Sequence, residues 1–248
     1  MFLLQGRFDS NVIIRKNSPS LIVAGTLIFW VAYYGYNCGS TGAVVGQRGA
    51  LAGKIAAVTT LSAAFSAVTA LLIQVATESY DLTVLSNAIL AGLVGVSAAC
   101  SVIEMWGAML IGISSCLVYL GASKALVHFK IDDVVDAFAV HGAVGIWGAL
   151  NVGIFGSDYN GAQAGYLGSS SQAAHAHPFR TGEQFGVQLV GIICIVAWTA
   201  FWTALVFFGL KLTVGIRVAE EVEEKGDVEP IETRDEAVQA KLSASNKV

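Results

Sequence analysis

The segment DAFAVHGAVGIWGALNVGIFG, Asp136 to Gly156, sets one histidine, His141, among apolar and small residues. Imidazole donates at one nitrogen and accepts at the other, which suits a proton relay or the ligation of a small polar solute. An ionisable residue inside an apolar helix marks a path for such a solute. The alternative is a structural histidine satisfied by one interhelical hydrogen bond. On an α-helical wheel Gly145 and Gly148 fall within about 40° of His141, and Val152 lies on the same stripe. The histidine is therefore expected on a small-residue face that packs against protein, not lipid. Asp132, Asp133 and Asp136 precede the helix. One of them can cap it, and all favour the positive end of its dipole.

Three further groups bear weighing. In GTLIFWVAYYGYNCGS, Gly25 to Ser40, the rings of Trp30, Tyr33, Tyr34 and Tyr36 fit either an interfacial belt or an aromatic gate that attracts cations. In LAGLVGVSAACSVIEMWGA, Ser97 is expected to bond to the carbonyl four residues back, as serines in membrane helices do. Glu104 and Trp106 read as boundary residues, and His128 as solvated. His175 and His177 form a pair without further ligands, so no metal site is expected.

The solvent of these elements follows from composition. Hydrophobic residues make up 55% of the 248 and charged residues 13%, about half the share in soluble domains. The mean hydropathy is +0.66. The chain is an all-α polytopic membrane protein. A helix needs about 20 apolar residues to cross a bilayer core. Six segments qualify, roughly 20–37, 51–76, 84–103, 106–128, 136–156 and 185–213. The start, MFLLQGRFDS, has too short an apolar stretch for a signal peptide. The division expected is an N-terminal segment 1–19, a transmembrane domain 20–214 and an acidic tail 215–248.

An even number of spans puts both termini on one side. That side carries Arg7, Arg15, Lys16, Lys124, Lys130, Lys211 and Arg217, against Arg48, Lys54 and Arg180 opposite. Both termini are thus expected in the cytoplasm. Nine of the eighteen acids follow Arg217, in a tail too charged to fold alone. Cys38, Cys100, Cys116 and Cys194 lie apart in apolar runs and read as small buried hydrophobes. Gly25, Gly35, Gly92, Gly95, Gly107 and Gly112, with those of Gly142 to Gly156, allow the close backbone approach that packs helices in lipid.

DDVVDAFAVHGAVGIWGALNVGIFG resembles the penultimate helix of the ammonium transporter (Amt/Mep/Rh) family, whose motif has the form D-x-x-x-V-H-G-x-x-G-x-W-G. GTLIFWVAYYGYNCGS resembles that family's sixth helix, and LAGLVGVSAACSVIEMWGA its eighth. VGIRVAEEVEEKG resembles the end of its last helix. The likeness covers nearly the whole chain in order, and is closer to Amt than to Rh. It implies six spans equivalent to helices six to eleven of an eleven-helix fold: the second of two inverted repeats, plus the last helix. It also implies assembly as trimers in the plasma membrane, with ammonium or ammonia as substrate, and no cofactor, metal or nucleic acid.

Carried over position by position, the resemblance makes His141 the second histidine of a pore pair. Tyr36 becomes an aromatic of the gate, where phenylalanine is usual. Ser40 becomes the serine that hydrogen-bonds ammonium at the outer entrance, and Ser97 a pore-side hydroxyl. Ammonium would lose its proton outside, and ammonia would cross an apolar pore. The partner histidine and the other gate aromatic belong to the first five helices, which this sequence does not contain. The tail, GDVEPIETRDEA, departs from the family's pattern. Three readings follow: the carboxy-terminal half of a transporter, a half-length non-conducting or regulatory subunit of trimers, or an unrelated bundle in which His141 is structural. An enzyme is not expected, because no second catalytic residue stands beside His141.

Overall fold

The structure is a computed structural model that describes residues 18–166, 179 and 182–216. The N-terminal segment, the His175–His177 pair, Arg180 and the acidic tail from Arg217 lie outside the described residues. The described elements are helical: α1 Pro19–Gly39, α2 Gly46–Ala76, α3 Leu82–Ser97, α4 Met105–His128, a π-helical segment Phe138–Ala143 that runs into α5 Val144–Phe155, a short α6 Asp158–Gln163, and α7 Glu183–Thr213.

Local sequence sets the starts. Ser18 caps α1, its hydroxyl accepting from the Leu21 N–H, with Pro19 at the first helical position, where a missing N–H costs nothing. Asp81 caps α3 through the Thr83 N–H at 2.8 Å. Five of the helical runs are long and apolar enough to cross a bilayer: α1, α2, α4, the continuous Phe138–Phe155 run and α7. The sixth expected span differs. α3 has 16 residues and stops at Ser97, where the sequence predicts a helix to 103. Residues 98–103 form turns. Their amide and carbonyl groups find other partners: Ala99 N donates to Val96 O, Val102 N to Ala99 O, and Ser157 N to Val102 O. Irregular backbone at membrane depth is tolerated where protein or a cavity takes its polar groups. A hydropathy pattern cannot report that break, because Ala98 to Ile103 is as apolar as the helix before it.

The described residues from Ser18 to Thr199 belong to one compact unit. In it α2, α3 and α4 pack together, α1 lies on α2 and α3, and the π-segment with α5 lies on α3 and α4. The contacts are made by small residues and hydroxyls. A Cβ on Gly92 would meet the Ser62 carbonyl oxygen at 2.7 Å, and one on Gly112 would overlap the same oxygen. Ser62 and Ser66 send their hydroxyl protons to the carbonyls of Gly92 and Ala88, at 2.7 Å and 2.5 Å. One side of α2 thus carries both the steric and the hydrogen-bonded contact with α3. From Ala200 onward the chain belongs to a second unit, whose described part is the later half of α7. There the Phe201 and Trp202 rings meet edge to face at 5.3 Å.

The glycines are not equivalent. Gly148 faces the Gly95 carbonyl, 2.9 Å from where a Cβ would stand, but Gly145 faces open space, and Gly142 faces the ring of Phe138 from its own helix. Only Gly148 of these three draws a neighbouring backbone close. Gly112→Ala is therefore expected to lower stability by about 2 kcal/mol through overpacking. Gly145→Ala is expected to be neutral or slightly stabilising, since Ala is the better helix former. Thermal unfolding midpoints of the two purified variants in detergent check the contrast; equal midpoints would refute it.

Cys100 and Cys116 are buried as expected, Cys38 is half-buried, and Cys194 is exposed. The exception has a plain cause: Cys194 lies on α7, which buries none of its residues.

Candidate functional site

His141 sits inside the π-helical segment Phe138–Ala143. A π turn closes i→i+5 hydrogen bonds, so it winds more residues per turn than an α-helix, and such turns occur frequently at functional sites. Gly148 and Val152 are buried, whereas His141 is exposed on this chain.

Two carboxylates hold the segment. Asp133 accepts from the N–H groups of Ala137, Phe138 and Ala139 at 2.8, 2.8 and 3.3 Å. It satisfies three of the orphan donors that open a helix, and its charge suits the dipole. Asp136 does something the sequence did not indicate. Its backbone is left-handed, with φ 56°, a region Asp tolerates better than most residues. Its carboxylate accepts from Asn87 Nδ2 of α3 at 3.2 Å, from Tyr119 OH at 3.0 Å and from Ser123 Oγ at 2.7 Å, the last two on α4. Asp136 thus ties the start of the π-segment to two helices. Farther along, Trp147 Nε1 donates to Ser114 Oγ of α4 at 3.0 Å.

His141 lines a cavity of about 380 Å³ with Phe29, Tyr33, Tyr36, Val94 and Ser97. A second cavity, about 460 Å³, has Tyr36 and Ser97 in its lining too, and adds Ser40, Asn37, Thr41, Arg48 and Ser101. The four expected site residues therefore line these two cavities, with Tyr36 and Ser97 common to both.

The aromatic cluster of α1 divides into two pairs. Trp30 Nε1 donates to Tyr34 OH at 3.0 Å, and Tyr34 OH bonds to Thr60 Oγ1 of α2 at 2.7 Å, so this pair packs helices. Tyr33 and Tyr36 line the smaller cavity, their rings edge to face at 6.1 Å.

The hydroxyls have a common disposition. Ser40 Oγ donates to the Tyr36 carbonyl at 2.6 Å, and Ser97 Oγ to the Leu93 carbonyl at 2.8 Å. Each spends its one proton on its own helix and presents only lone pairs elsewhere. The larger cavity also lies at the C-terminal ends of α1 and α3, whose last residues, Gly39 and Ser97, adjoin its lining. Helix C-termini carry partial negative charge and favour cations. Beside the cavity, Lys54 Nζ is hydrogen-bonded to Asn160 Oδ1 and lies 3.5 Å from the Ser101 carbonyl, while Asn160 Nδ2 donates to Glu104 Oε1 at 2.6 Å. Glu104 is thus a boundary residue with a partner. His128 is exposed at the end of α4 against Phe129.

Sequence reasoning missed Asn37, Arg48 and Ser101 in the lining. Arg48 gave a signal, a charge in an almost uncharged stretch, but it was read only for orientation.

Apolar helices of membrane-crossing length, packed through glycine and serine beside two cavities with shared lining residues, define a polytopic membrane protein. Residues 4–234 match the model of the Ammonium Transporter Family, and the chain belongs to that family. It is 32% identical over 239 residues to ammonium transporter 1 member 1 of Arabidopsis thaliana, covering 89% of this chain and 46% of that protein. With ammonium transporter 3 of Dictyostelium discoideum the identity is 31% over 229 residues, covering 89% and 52%. The fold is similar to Mep2 of Saccharomyces cerevisiae, with TM-score 0.70 and 27% identity over 82% of this chain and 44% of that one. It is likewise similar to a sensor Amt protein, with TM-score 0.71 and 29% identity over 85% and 48%. The chain spans about half the length of the relatives it matches.

Proposed function

We propose that this chain forms one side of an ammonium-conducting pore: ammonium is taken up at Ser40 and Tyr36, gives up its proton, and ammonia passes Ser97 and His141. The observation that carries the reading is the shared lining. Ser40, Tyr36, Ser97 and His141 follow one another along two cavities that have Tyr36 and Ser97 in common. Ammonium has four N–H donors and no acceptor. Two hydroxyls with their protons already committed, at the negative ends of two helices, suit such a solute. Beyond them the smaller cavity is walled mainly by Phe29, Ala32, Tyr33, Tyr36 and Val94. A desolvated cation pays heavily there, whereas neutral ammonia does not.

In this reading residues 20–214 are the membrane domain, the segments on either side face the cytoplasm of a plasma-membrane protein, and the subunits assemble as trimers. A further stretch of polypeptide supplies the opposite wall of the pore and the second histidine. An immunoblot of the native protein, with an antibody to the tail around Glu229–Lys241, tests where that stretch resides. A band near twice 25.9 kDa places it in the same chain, and a band at 25.9 kDa places it in another.

The activity itself is tested by reconstituting the native protein in liposomes and imposing an inward ammonium gradient. Uptake of neutral ammonia makes the interior alkaline, and net uptake of ammonium gives a current. A saturable signal of either kind, above protein-free vesicles, is expected. No signal above that background would overturn the reading.

A further inference from the structure

We propose that Arg48 sets the apparent affinity for ammonium: its positive charge at the mouth of the larger cavity raises the concentration needed for half-maximal uptake. The inference rests on the function proposed above and adds a specificity-determining residue to that site. Arg48 lines the same cavity as Ser40, Tyr36 and Ser97. Its guanidinium lies over the Gly42 turn, with Nη1 3.7 Å from where a Cβ on Gly42 would stand. Gly42, at φ 70°, follows Ser40 by two residues. The charge therefore shares the cavity with the hydroxyl that would receive the cation.

Among the described residues that line this cavity, Arg48 is the one with a charged side chain, and no carboxylate joins it. The neighbouring carboxylate, Glu104, is engaged by Asn160, and the neighbouring Lys54 is itself a cation.

The position is also one that helix physics disfavours. Arg48 is the third residue of α2, which has no acidic residue in its first turn and no side-chain cap at Val45. A cation in the first turn opposes the helix dipole. A neutral residue would suit the helix better, so helix stability does not account for the arginine. The C-termini of α1 and α3 draw cations into the cavity, and Arg48 opposes them across the same space. The balance keeps ammonium loosely held, so that it moves on instead of lodging at the entrance.

The test is the concentration dependence of ammonium uptake by the native protein in liposomes, at about 10 mM and about 500 mM ionic strength; the Debye length falls from about 30 Å to a few Å between them. At low ionic strength Arg48→Gln is expected to lower the apparent KM about two- to five-fold, with the maximal rate changed less than about twofold. Arg48→Lys keeps the charge and should keep the wild-type KM. High ionic strength should bring wild type and Arg48→Gln together. The side chain is exposed, so folding should tolerate these changes; Arg48→Met replaces the glutamine variant if that one fails to assemble. A wild-type KM in the neutral variant at low ionic strength overturns the inference while leaving the proposed function standing, as does Arg48→Lys behaving like Arg48→Gln. Absence of uptake in the wild type overturns the function, and this inference with it.

Discussion

Replacing His141 by alanine in the complete protein is expected to change conduction by at least about tenfold while leaving the fold intact. The side chain is exposed on this chain, and none of its atoms holds another helix, so the stability change should stay within about 0.5 kcal/mol. In the proposed function its contribution is to the solute. In a cavity walled mainly by Phe29, Tyr33, Tyr36 and Val94, the imidazole is the group that can take up and release a proton near neutral pH. A proton relay puts the charge on the imidazole itself, and hydrogen bonds that involve a charge contribute about 1.5–3 kcal/mol, which corresponds to roughly ten- to hundredfold in rate. A relay role would abolish the proton-carrying part, so that current falls more than alkalinisation of the vesicle interior. Current and internal pH recorded on the same proteoliposomes decide the matter. If both match the wild type, His141 is a structural residue and the pore reading fails.

Asp136→Ala should do the opposite, acting on stability first. Its carboxylate accepts from Asn87, Tyr119 and Ser123. The Tyr119 ring is 1% exposed, so its hydroxyl is left without water to replace the lost acceptor. Unsatisfied buried donors cost about 1–3 kcal/mol each, and alanine at φ 56° adds about 1 kcal/mol. A loss of about 3 kcal/mol or more is expected, read as a lowered unfolding midpoint in detergent. Asp136→Asn should recover part of it, because asparagine tolerates the left-handed backbone and keeps one acceptor oxygen. An unfolding midpoint for Asp136→Ala equal to that of wild type would show that the three hydrogen bonds do not secure the π-segment.

The contrast between these neighbours shows what a sequence carries. His141 is conspicuous because its chemistry differs from its surroundings, and Ser97 bonds to the Leu93 carbonyl four residues back as local rules require. Five spans were legible for the same reason: length and apolarity are local properties. The π-segment was not, since an extra residue in a helical turn leaves no mark in composition. The role of Asp136 was hidden too. Three aspartates before a helix all look like caps, and only the approach of Tyr119 and Ser123 from α4 separates the tie from the cap. The end of α3 at Ser97 was equally silent, because the partners of its freed backbone groups come from distant positions such as Ser157.

That early end of α3 has a consequence for the barrier itself. At 1.5 Å per residue its 16 residues are about 24 Å long, against a hydrocarbon core about 30 Å thick. The turns at 98–103 make up the remainder, and a space of about 460 Å³ opens beside them. Water can follow a solute into a space of that size. The low-dielectric stretch along this route is then thinner than the membrane around it. The height of a barrier to charge depends on how much of the ion's journey is made dry, so under the proposed function the point where α3 stops sets how far ammonium travels as an ion before its proton has to leave.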